Sequence, residues 1–451
     1  MRTISLHDTL SGELEEMTPA VPPRVRIYAC GPTVYSRVHV GNARPFVVFS
    51  QLKRFLAHEG YDVTFVANVT DINDKIYSAA TAAGVPSDEL AREMTAAYRQ
   101  DTDALGLGRP DHEPLASDTI PAIVELIGRL VEGGHAYASD GDVYFSVRSY
   151  PEYGELSHRD IEQMDQGEGT EGVQRKRDPH DFALWKGLKA GEDTHWDSPW
   201  GSGRPGWHIE CSAMAERFLG REFELHGGGR DLIFPHHENE AAQTRAAHGE
   251  PLTRMWMHVG MVRLRDEKMS KSLGNVFGLQ ETLERYGPET LLMYFSGAHW
   301  RQPMEFDDER LAEAAARAAG IREAARALVD GPSPEWSATL RGRFFDALAR
   351  DFNTPRALAI VAEWTREANR NPAGTVGSAD LGEMLDVLGL RSLLQAPDVE
   401  VPERAVEVRD ARERARRDRD YAAADRLRDE LRELGWDVRD GPDGPELLPA
   451  T

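Results

Sequence analysis

The fold is decided by residues 25–69, which read VRIYACGPTVYSRVHVGNARPFVVFSQLKRFLAHEGYDVTFVANV. The mainly apolar residues 25–29 predict a buried strand, residues 39–60 predict a helix with one apolar side, and residues 61–69 predict a second strand. Strand, helix and strand at this spacing are typical of a βαβ unit, which favours a parallel sheet. We therefore expect an α/β fold of the Rossmann type.

The same alternation continues further along the chain. It predicts a helix at 74–84, a strand at 223–225, a helix at 235–249 and a strand at 256–264. Between these parts, the stretch at about 110–200 is polar and predicted to be irregular, with a mobile loop at 165–172. We expect a catalytic domain over 1–262 whose sheet is interrupted by this insertion.

The remainder of the chain is predicted to be mainly helical from about residue 307. The predicted parts are a loop with connecting helices at 263–306, a helical bundle at 307–396 and a small C-terminal domain at 403–451, with linkers at 332–334 and 397–402. In the last part we expect one apolar stripe, made of Tyr421, Ala424, Leu427, Leu431 and Leu434.

Composition limits the possible partners and compartments. The formal net charge of −23, from 53 basic and 76 acidic residues, argues against general nucleic-acid affinity but does not exclude a local basic patch. Only seven of the basic residues are lysines, so clustered lysines stand out. The sequence has neither a secretory segment nor an apolar run of bilayer length, and we expect a cytoplasmic protein with reduced thiols.

Both cysteines of the chain lie in candidate metal motifs. Cys30 follows the first predicted strand, and Cys211 precedes the run FPHHENE, which holds His236, His237 and Glu240. A thiolate pair, an imidazole and a carboxylate suit Zn²⁺ better than Mg²⁺. The alternatives are a disulfide, which a reducing compartment disfavours, or two buried thiols.

Three further motifs are of the kind that bind nucleotides. His39, Gly41 and Asn42 open the predicted first helix, where free N–H groups and the helix dipole favour phosphate. Lys268 and Lys271 lie within KMSKS, at 268–272, and lysine ammonium groups suit a phosphate chain. The alternatives for these two motifs are a helix cap and a basic surface turn.

The third motif is the run HGGGRD at 226–231. It is predicted to follow a strand, and its glycines leave room for a flat ring or a ribose. The carboxylate of Asp231 could then accept from ribose hydroxyls. The alternative is a flexible turn.

Together these motifs resemble the class I aminoacyl-tRNA synthetases, and more narrowly the cysteinyl-tRNA synthetase family. The likeness extends through NVTDINDK at 68–75, DFALWK at 181–186, GWHIECSAM at 206–214, DFNTP at 351–355 and ADRLRDEL at 424–431. One departure is Asn42, where the general class I motif often has His. The resemblance covers nearly the whole chain.

The resemblance assigns roles to individual residues. It implies one Zn²⁺ per chain, bound by Cys30, Cys211, His236 rather than His237, and Glu240. It implies that Thr70, Trp207 and His226 line the amino-acid pocket and that Gly229 and Asp231 lie near the adenosine. His39, Gly41, Asn42, Lys268 and Lys271 would act on Mg-ATP.

The implied activity is the formation of cysteinyl-adenylate and its transfer to tRNA-Cys, by a monomer. One rival is the ligase that joins cysteine to glucosaminyl-inositol in mycothiol synthesis, which is expected to lack the final arginine-rich unit. A rival of another class is a non-catalytic regulator that binds zinc and nucleotide. In the arginine-rich unit, Tyr421 and Trp436 are candidates for stacking on bases, or for the core.

Overall fold

The computed structural model describes residues 2–164, 173–264, 267–268, 277–395, 402–441 and 444–449. The predicted loop at 165–172, residues 269–272 of the lysine motif and most of the linker at 397–402 lie outside these residues. The chain divides into two compact units, Met1–Leu394 and Gln395–Thr451.

The strands are β1 Ser5–His7, β2 Leu14–Glu16, β3 Arg24–Ala29, β4 Asp62–Ala67, β5 Ala136–Ser139, β6 Asp142–Phe145, β7 Phe182–Gly187, β8 Gly203–Pro205, β9 Leu225–Gly229, β10 Trp256–Val259, β11 Val262–Leu264, β12 Glu267–Lys268, β13 Met304–Glu305, β14 Leu328–Val329, β15 Val376–Gly377, β16 Trp436–Gly441 and β17 Gly444–Pro449. The helices are α1 Val40–His58, α2 Asp74–Ala83, α3 Ser87–Asp103, α4 Ile120–Glu132, α5 Trp207–Leu219, α6 Glu238–His248, α7 Leu279–Tyr286, α8 Pro288–Ser296, α9 Asp308–Ala325, α10 Glu335–Ala349, α11 Thr354–Ala368, α12 Ala379–Val387, α13 Glu403–Arg417 and α14 Tyr421–Glu433.

The centre of the first unit is a parallel four-stranded sheet with the order β10-β9-β3-β4. Side chains alternate between its two faces: Ile27 of β3 belongs to one core cluster and Tyr28 to another. The predicted βαβ unit is confirmed, because β3, α1 and β4 occupy the predicted ranges to within two residues. The predicted Rossmann-type α/β fold is therefore correct.

Two predictions around the second half of this sheet are wrong. The strand predicted at 223–225 runs from Leu225 to Gly229, so the glycines of HGGGRD lie within the strand rather than after it. A Cβ on Gly227 would lie 2.0 Å from the carbonyl oxygen of Met257, so glycine permits this strand pairing. The strand predicted at 256–264 is broken at Gly260 into β10 and β11, which belong to different sheets.

The prediction of an irregular middle stretch is also wrong. The range 110–200 contains α4 and the strands β5 to β7, which with β8 form an antiparallel sheet with the order β5-β6-β7-β8. These strands have three to six residues each, and β6 is buried at every position, so it shows no alternation of polar and apolar residues. Short strands without a period give little signal in a sequence.

The helical part and the second unit follow the predictions more closely. Helices α9 to α12 fill most of the range 308–387, and the proline-rich segment at 332–334 lies within the first unit rather than between units. In the second unit, Ala424 and Leu431 of the predicted stripe are buried, but Tyr421 is 65% exposed and Leu434 is 40% exposed. Among the residues that the structure describes, no helix has the length and apolar character needed to cross a membrane.

Candidate functional site

The carboxyl ends of the parallel strands meet at one edge of the sheet, where α/β proteins bind ligands. Cys30 follows β3, Thr70 follows β4 by three residues, Gly229 ends β9 and Gly260 follows β10. All four residues line one cavity of about 710 Å³. Sequence positions up to 230 residues apart are thus brought to a single site by the strand order.

Most of the predicted site residues line this cavity. They are Cys30, His39, Gly41, Asn42, Thr70, Trp207, Cys211, Gly229, Asp231 and His236. Glu240 and His226 are fully buried and are not among the described lining residues. They lie against each other, with His226 Nε2 3.1 Å from Glu240 Oε2.

The four predicted metal ligands come together in space. Ligand atoms of Cys30, Cys211, His236 and Glu240 all lie within 4.8 Å of one another. Cys30 Sγ is 3.5 Å from His236 Nε2 and 3.5 Å from Glu240 Oε1, and the latter two atoms are 3.1 Å apart. Such separations fit the corners of a tetrahedron around an ion with bond lengths of about 2.0–2.3 Å.

The protonation states of these groups also suit a metal ion. Burial raises the pKa of the Cys30 thiol well above its ordinary value and raises the pKa of Cys211 as well. Burial lowers the pKa of His236 to about 3, so its imidazole is neutral and can offer a lone pair. Without a cation the two thiols keep their protons, whereas a bound Zn²⁺ favours their thiolate forms. The donor set therefore fits zinc.

Neighbouring groups orient the ligands. His208 Nδ1 lies 3.1 Å from His236 Nδ1, so a proton on the His236 nitrogen leaves Nε2 free for a metal. The indole of Trp207 stacks on the His236 ring, with centroids 4.4 Å apart and planes 20° apart. Trp207 begins α5 and Cys211 lies one turn later on the same face, so this helix supplies both a ligand and a wall.

A second possible ligand set overlaps the first. Cys30, His226, His237 and Glu240 also place their ligand atoms within 4.8 Å of one another. His237 Nε2 lies 3.3 Å from Cys30 Sγ, and its Nδ1 lies 2.6 Å from His258 Nε2. Because the two sets share Cys30 and Glu240, they cannot both bind an ion at the same time.

Access to the cavity distinguishes the two sets. Cys30, Cys211 and His236 line the cavity, whereas His226 and His237 are absent from its described lining. Three of the four residues in the first set line the cavity, but only Cys30 of the second set does. The structure therefore favours His236 over His237, although it holds both rings near Cys30.

The candidate ligands His236 and His237 each contact a further histidine that the sequence analysis did not identify. These are His208 and His258, and burial lowers the pKa of each to about 3. His208 was visible as the residue before Ile209 in GWHIECSAM, but nothing in the sequence indicates which way it faces. His258 lies in a buried strand. A histidine in such a strand could have been recognised as part of a polar cluster, because buried polar groups need hydrogen-bond partners.

The start of α1 forms the opposite side of the cavity. His39 caps this helix, and its backbone N–H donates to the side-chain oxygen of Asn42 over 3.2 Å. A Cβ on Gly41 would lie 2.9 Å from the imidazole of His39, so glycine lets that ring fold over the helix start. Gly41 and the side chains of His39 and Asn42, which can contact phosphate, line the cavity at this helix start. The N–H groups of Val40 and Asn42 already donate to the carbonyl oxygens of Phe277 and His39.

Of the other residues predicted to bind ATP, some line the cavity and one lies outside the described residues. Gly229 and Asp231 line the cavity together, and a Cβ on Gly229 would lie 2.6 Å from Asp231 Oδ1. Lys268 belongs to β12, whose backbone pairs with Arg263 of β11, and Lys271 lies outside the described residues. Lys75, which the sequence analysis did not single out, lines the cavity and offers a further ammonium group.

The second unit has its own small core. Buried Ala405, Val408, Leu431 and Trp436 pack together with Leu447. Trp436 is thus a core residue, and of the two aromatic candidates only Tyr421 is exposed. Many surface arginines pair with acids, for example Arg404 with Glu430 at 2.6 Å.

Family models match most of the chain. Residues 16–316 match the class I (C) tRNA synthetase catalytic domain, residues 343–391 match the DALR domain, and residues 398–445 match the cysteinyl-tRNA ligase anticodon binding domain.

Named relatives and solved structures agree with these family matches. The chain is 46% identical to the cysteine–tRNA ligase of Alkalilimnicola ehrlichii, over 98% of each chain, and 44% identical to that of Geobacter metallireducens, over 98% of this chain and 99% of the relative. Its fold is similar to Mycobacterium tuberculosis methionyl-tRNA synthetase in complex with methionyl-adenylate (TM-score 0.57, 19% identity, 89% of this chain and 96% of that chain). It is also similar to an Agrobacterium radiobacter LeuRS in a ternary complex (TM-score 0.61, 11% identity, 84% and 85%).

Proposed function

Because the chain belongs to the cysteine–tRNA ligase family of class I aminoacyl-tRNA synthetases, and is therefore a ligase, we propose that it charges tRNA-Cys in the cytoplasm. It activates cysteine with Mg-ATP and transfers the cysteinyl group to the 3′-terminal ribose. One zinc ion per chain selects the thiol. The observation that carries the proposal is that one cavity is lined by three of the four candidate metal ligands, beside the buried Glu240, and by the helix start at His39, Gly41 and Asn42.

Cysteine selection depends on the metal side of the cavity. Cys30, Cys211, His236 and Glu240 would hold the ion, and Thr70 and Trp207 line the same cavity. A bound Zn²⁺ prefers a thiolate to the neutral hydroxyl of serine. A pocket that relied on shape alone would separate such similar side chains weakly. His226 acts through Glu240, which it contacts.

The first step needs no general base, because the attacking carboxylate is already ionised. A carboxylate oxygen of cysteine forms a bond to the α-phosphorus of ATP, and the bond to the bridging oxygen breaks, so that pyrophosphate leaves. His39 and Asn42 hold the α-phosphate region, and Lys268 and Lys271 stabilise the charge on pyrophosphate. Gly229 and Asp231 hold the adenosine. The contribution of the protein is positioning and charge stabilisation.

In the second step a hydroxyl of the terminal tRNA ribose attacks the cysteinyl carbonyl carbon. The bond to AMP breaks, AMP leaves as the phosphate, and the hydroxyl proton is released. Class I membership supports the 2′-hydroxyl as the nucleophile. The match of residues 398–445 to an anticodon binding domain supports tRNA as the acceptor, rather than glucosaminyl-inositol.

The test is cysteine-dependent exchange of pyrophosphate into ATP, followed by charging of tRNA-Cys with labelled cysteine. We expect exchange with cysteine alone and charging only with tRNA-Cys. Ligation of cysteine to glucosaminyl-inositol without tRNA charging would replace this proposal with the mycothiol reaction. An absence of exchange would leave a non-catalytic role.

A further inference from the structure

Arg44 is a fully buried cation for which the reaction proposed above has no stated role. It lies in α1, two residues after Asn42, and none of its surface is exposed. Among the described residues it forms no ion pair with a carboxylate. Its guanidinium donates instead to three backbone carbonyl oxygens: Nη1 to Gly260 at 2.6 Å, Nη1 to Gln302 at 2.8 Å and Nη2 to His299 at 3.0 Å.

Burial of the Arg44 cation in this environment is energetically unfavourable. Burial lowers the pKa of Arg44 to about 10, and its Nε has no hydrogen-bond partner among the described residues. An apolar side chain would pack between helix and strand without a desolvation cost. What an apolar residue could not do is fix three separate carbonyl groups in one plane, as the rigid donor fork of arginine does.

One of the three carbonyl groups that accept from Arg44, that of Gly260, belongs to a wall of the cavity. Gly260, Met261 and Val262 line it beside the start of α1, where a Cβ on Gly41 would lie 3.8 Å from the Cβ of Val262. The segment 299–302 packs behind this wall, where Gly260 N–H donates to the carbonyl of Trp300 at 2.7 Å. Arg44 thus connects the helix that bears His39 and Asn42 to the strand break between β10 and β11.

The same helix start also holds the chain on the other side of the lysine motif. Val40 N–H donates to the carbonyl of Phe277 at 3.0 Å, and Leu279 N–H donates to the carbonyl of Val38 at 3.1 Å. Residues 260–264 and 277–279 flank the KMSKS motif in sequence. Both flanks are therefore fastened to the region around His39, one through Arg44 and the other through backbone hydrogen bonds.

From this arrangement we propose that Arg44 is a positioning residue for adenylate formation. It fixes the distance between the phosphate-facing start of α1 and the wall at Gly260–Val262, from which β11 leads to the lysine motif. The inference rests on the proposed function, because it concerns the ATP-dependent step. It assigns no part in cysteine recognition to Arg44, since the thiol side of the cavity is formed by Cys30, Trp207 and Cys211 on other elements.

The test uses Arg44→Lys, which keeps the charge but loses the planar fork. A misplacement of about 1 Å can cost about 10²-fold in rate, so we expect single-turnover adenylate formation to slow by about that factor. The KM for cysteine and the zinc content should stay close to those of the wild-type chain, whereas the thermal midpoint should fall moderately, because lysine leaves some of the three carbonyl oxygens without a donor. The matched control is Arg54→Lys on the same helix, where the native arginine donates to the backbone carbonyl of Asp386 but is partly exposed. The control should leave all of these values unchanged.

A second variant disturbs the same contact from the other side. In Gly260→Ala the added Cβ would lie 2.2 Å from the carbonyl oxygen of Gln302, so the wall must shift while Arg44 is intact. We expect the same slow adenylate formation and the same unchanged KM for cysteine. This variant carries the test alone if Arg44→Lys does not fold.

Distinct results refute the two proposals. If the wild-type chain exchanges pyrophosphate and either folded variant forms adenylate at the wild-type rate, Arg44 does not position the reaction. Equal damage to cysteine binding and zinc content would also overturn the inference, because it would show a general structural role. If the wild-type chain itself shows no cysteine-dependent exchange, the proposed function fails and the inference falls with it.

Discussion

Replacing single ligands should show which of the two overlapping sets holds the metal. We predict that Cys211→Ser weakens zinc binding severely and that His237→Asn weakens it little. Zinc in protein sites of four ligands is worth about 10–16 kcal/mol, so an equal share is about 2.5–4 kcal/mol per ligand, or about 10²–10³-fold in affinity. His237 contacts Cys30 Sγ at 3.3 Å but would not bind the ion, so about tenfold is expected for its loss.

The measurement is competition for zinc with a chromophoric chelator, supported by elemental analysis of the purified variants. Circular dichroism should show that both variants are folded, and His236→Asn should resemble Cys211→Ser. The reasoning fails if Cys211→Ser keeps wild-type affinity while His237→Asn loses it. That result would place the ion on Cys30, His226, His237 and Glu240, away from the cavity lining.

Three further predictions concern the reaction and its acceptor. Lys271→Ala should bind cysteine normally but form adenylate about 10²–10³-fold more slowly, and normal pyrophosphate exchange would show that the motif is only a basic turn. Serine should be activated very poorly, and tRNA-stimulated ATP consumption with serine would reveal an editing activity that contradicts selection by zinc. A chain that ends at Leu394, the end of the first compact unit, should still form cysteinyl-adenylate but charge tRNA-Cys with a much higher KM for the tRNA. Equal charging by the shortened and full chains would exclude a role for the second unit in tRNA binding.

Prediction of the fold and of the site succeeded where the sequence contains a periodic apolar pattern or a recognisable motif. The βαβ unit was predictable because β3 and β4 each end in three buried apolar residues, 27–29 and 65–67, and flank a helix of 19 residues. The approach of Cys30 to Cys211, His236 and Glu240 was implied by the family resemblance and suggested by the metal motifs, and not by the predicted strands. Spacing alone left His236 and His237 as alternatives, and the structure explains why, since both rings lie within 3.5 Å of the Cys30 sulfur.

Where the deciding contacts are remote in sequence, prediction failed. The break between β10 and β11 depends on Gly260, whose N–H bonds to Trp300 and whose carbonyl accepts from Arg44. No window around residues 256–264 contains these partners, so a continuous strand was the natural prediction. The position of HGGGRD within β9 has a similar cause, because the close approach of Gly227 to Met257 exists only after the sheet has formed.

The elements that carry the candidate metal ligands also contribute to the hydrophobic core of the first unit. Cys30 extends from a central strand, Cys211 lies in a helix against the sheet, and Glu240 lies in a helix whose residues reach the same core cluster. A small zinc domain lacks such a core and unfolds without its ion, but a first unit of this size buries enough apolar surface to fold by itself. We therefore expect loss of zinc to remove cysteine selection while leaving the sheet and the helix start at His39 in place. On this argument the ion serves to recognise the thiol, and the fold supplies the geometry in which that recognition meets ATP.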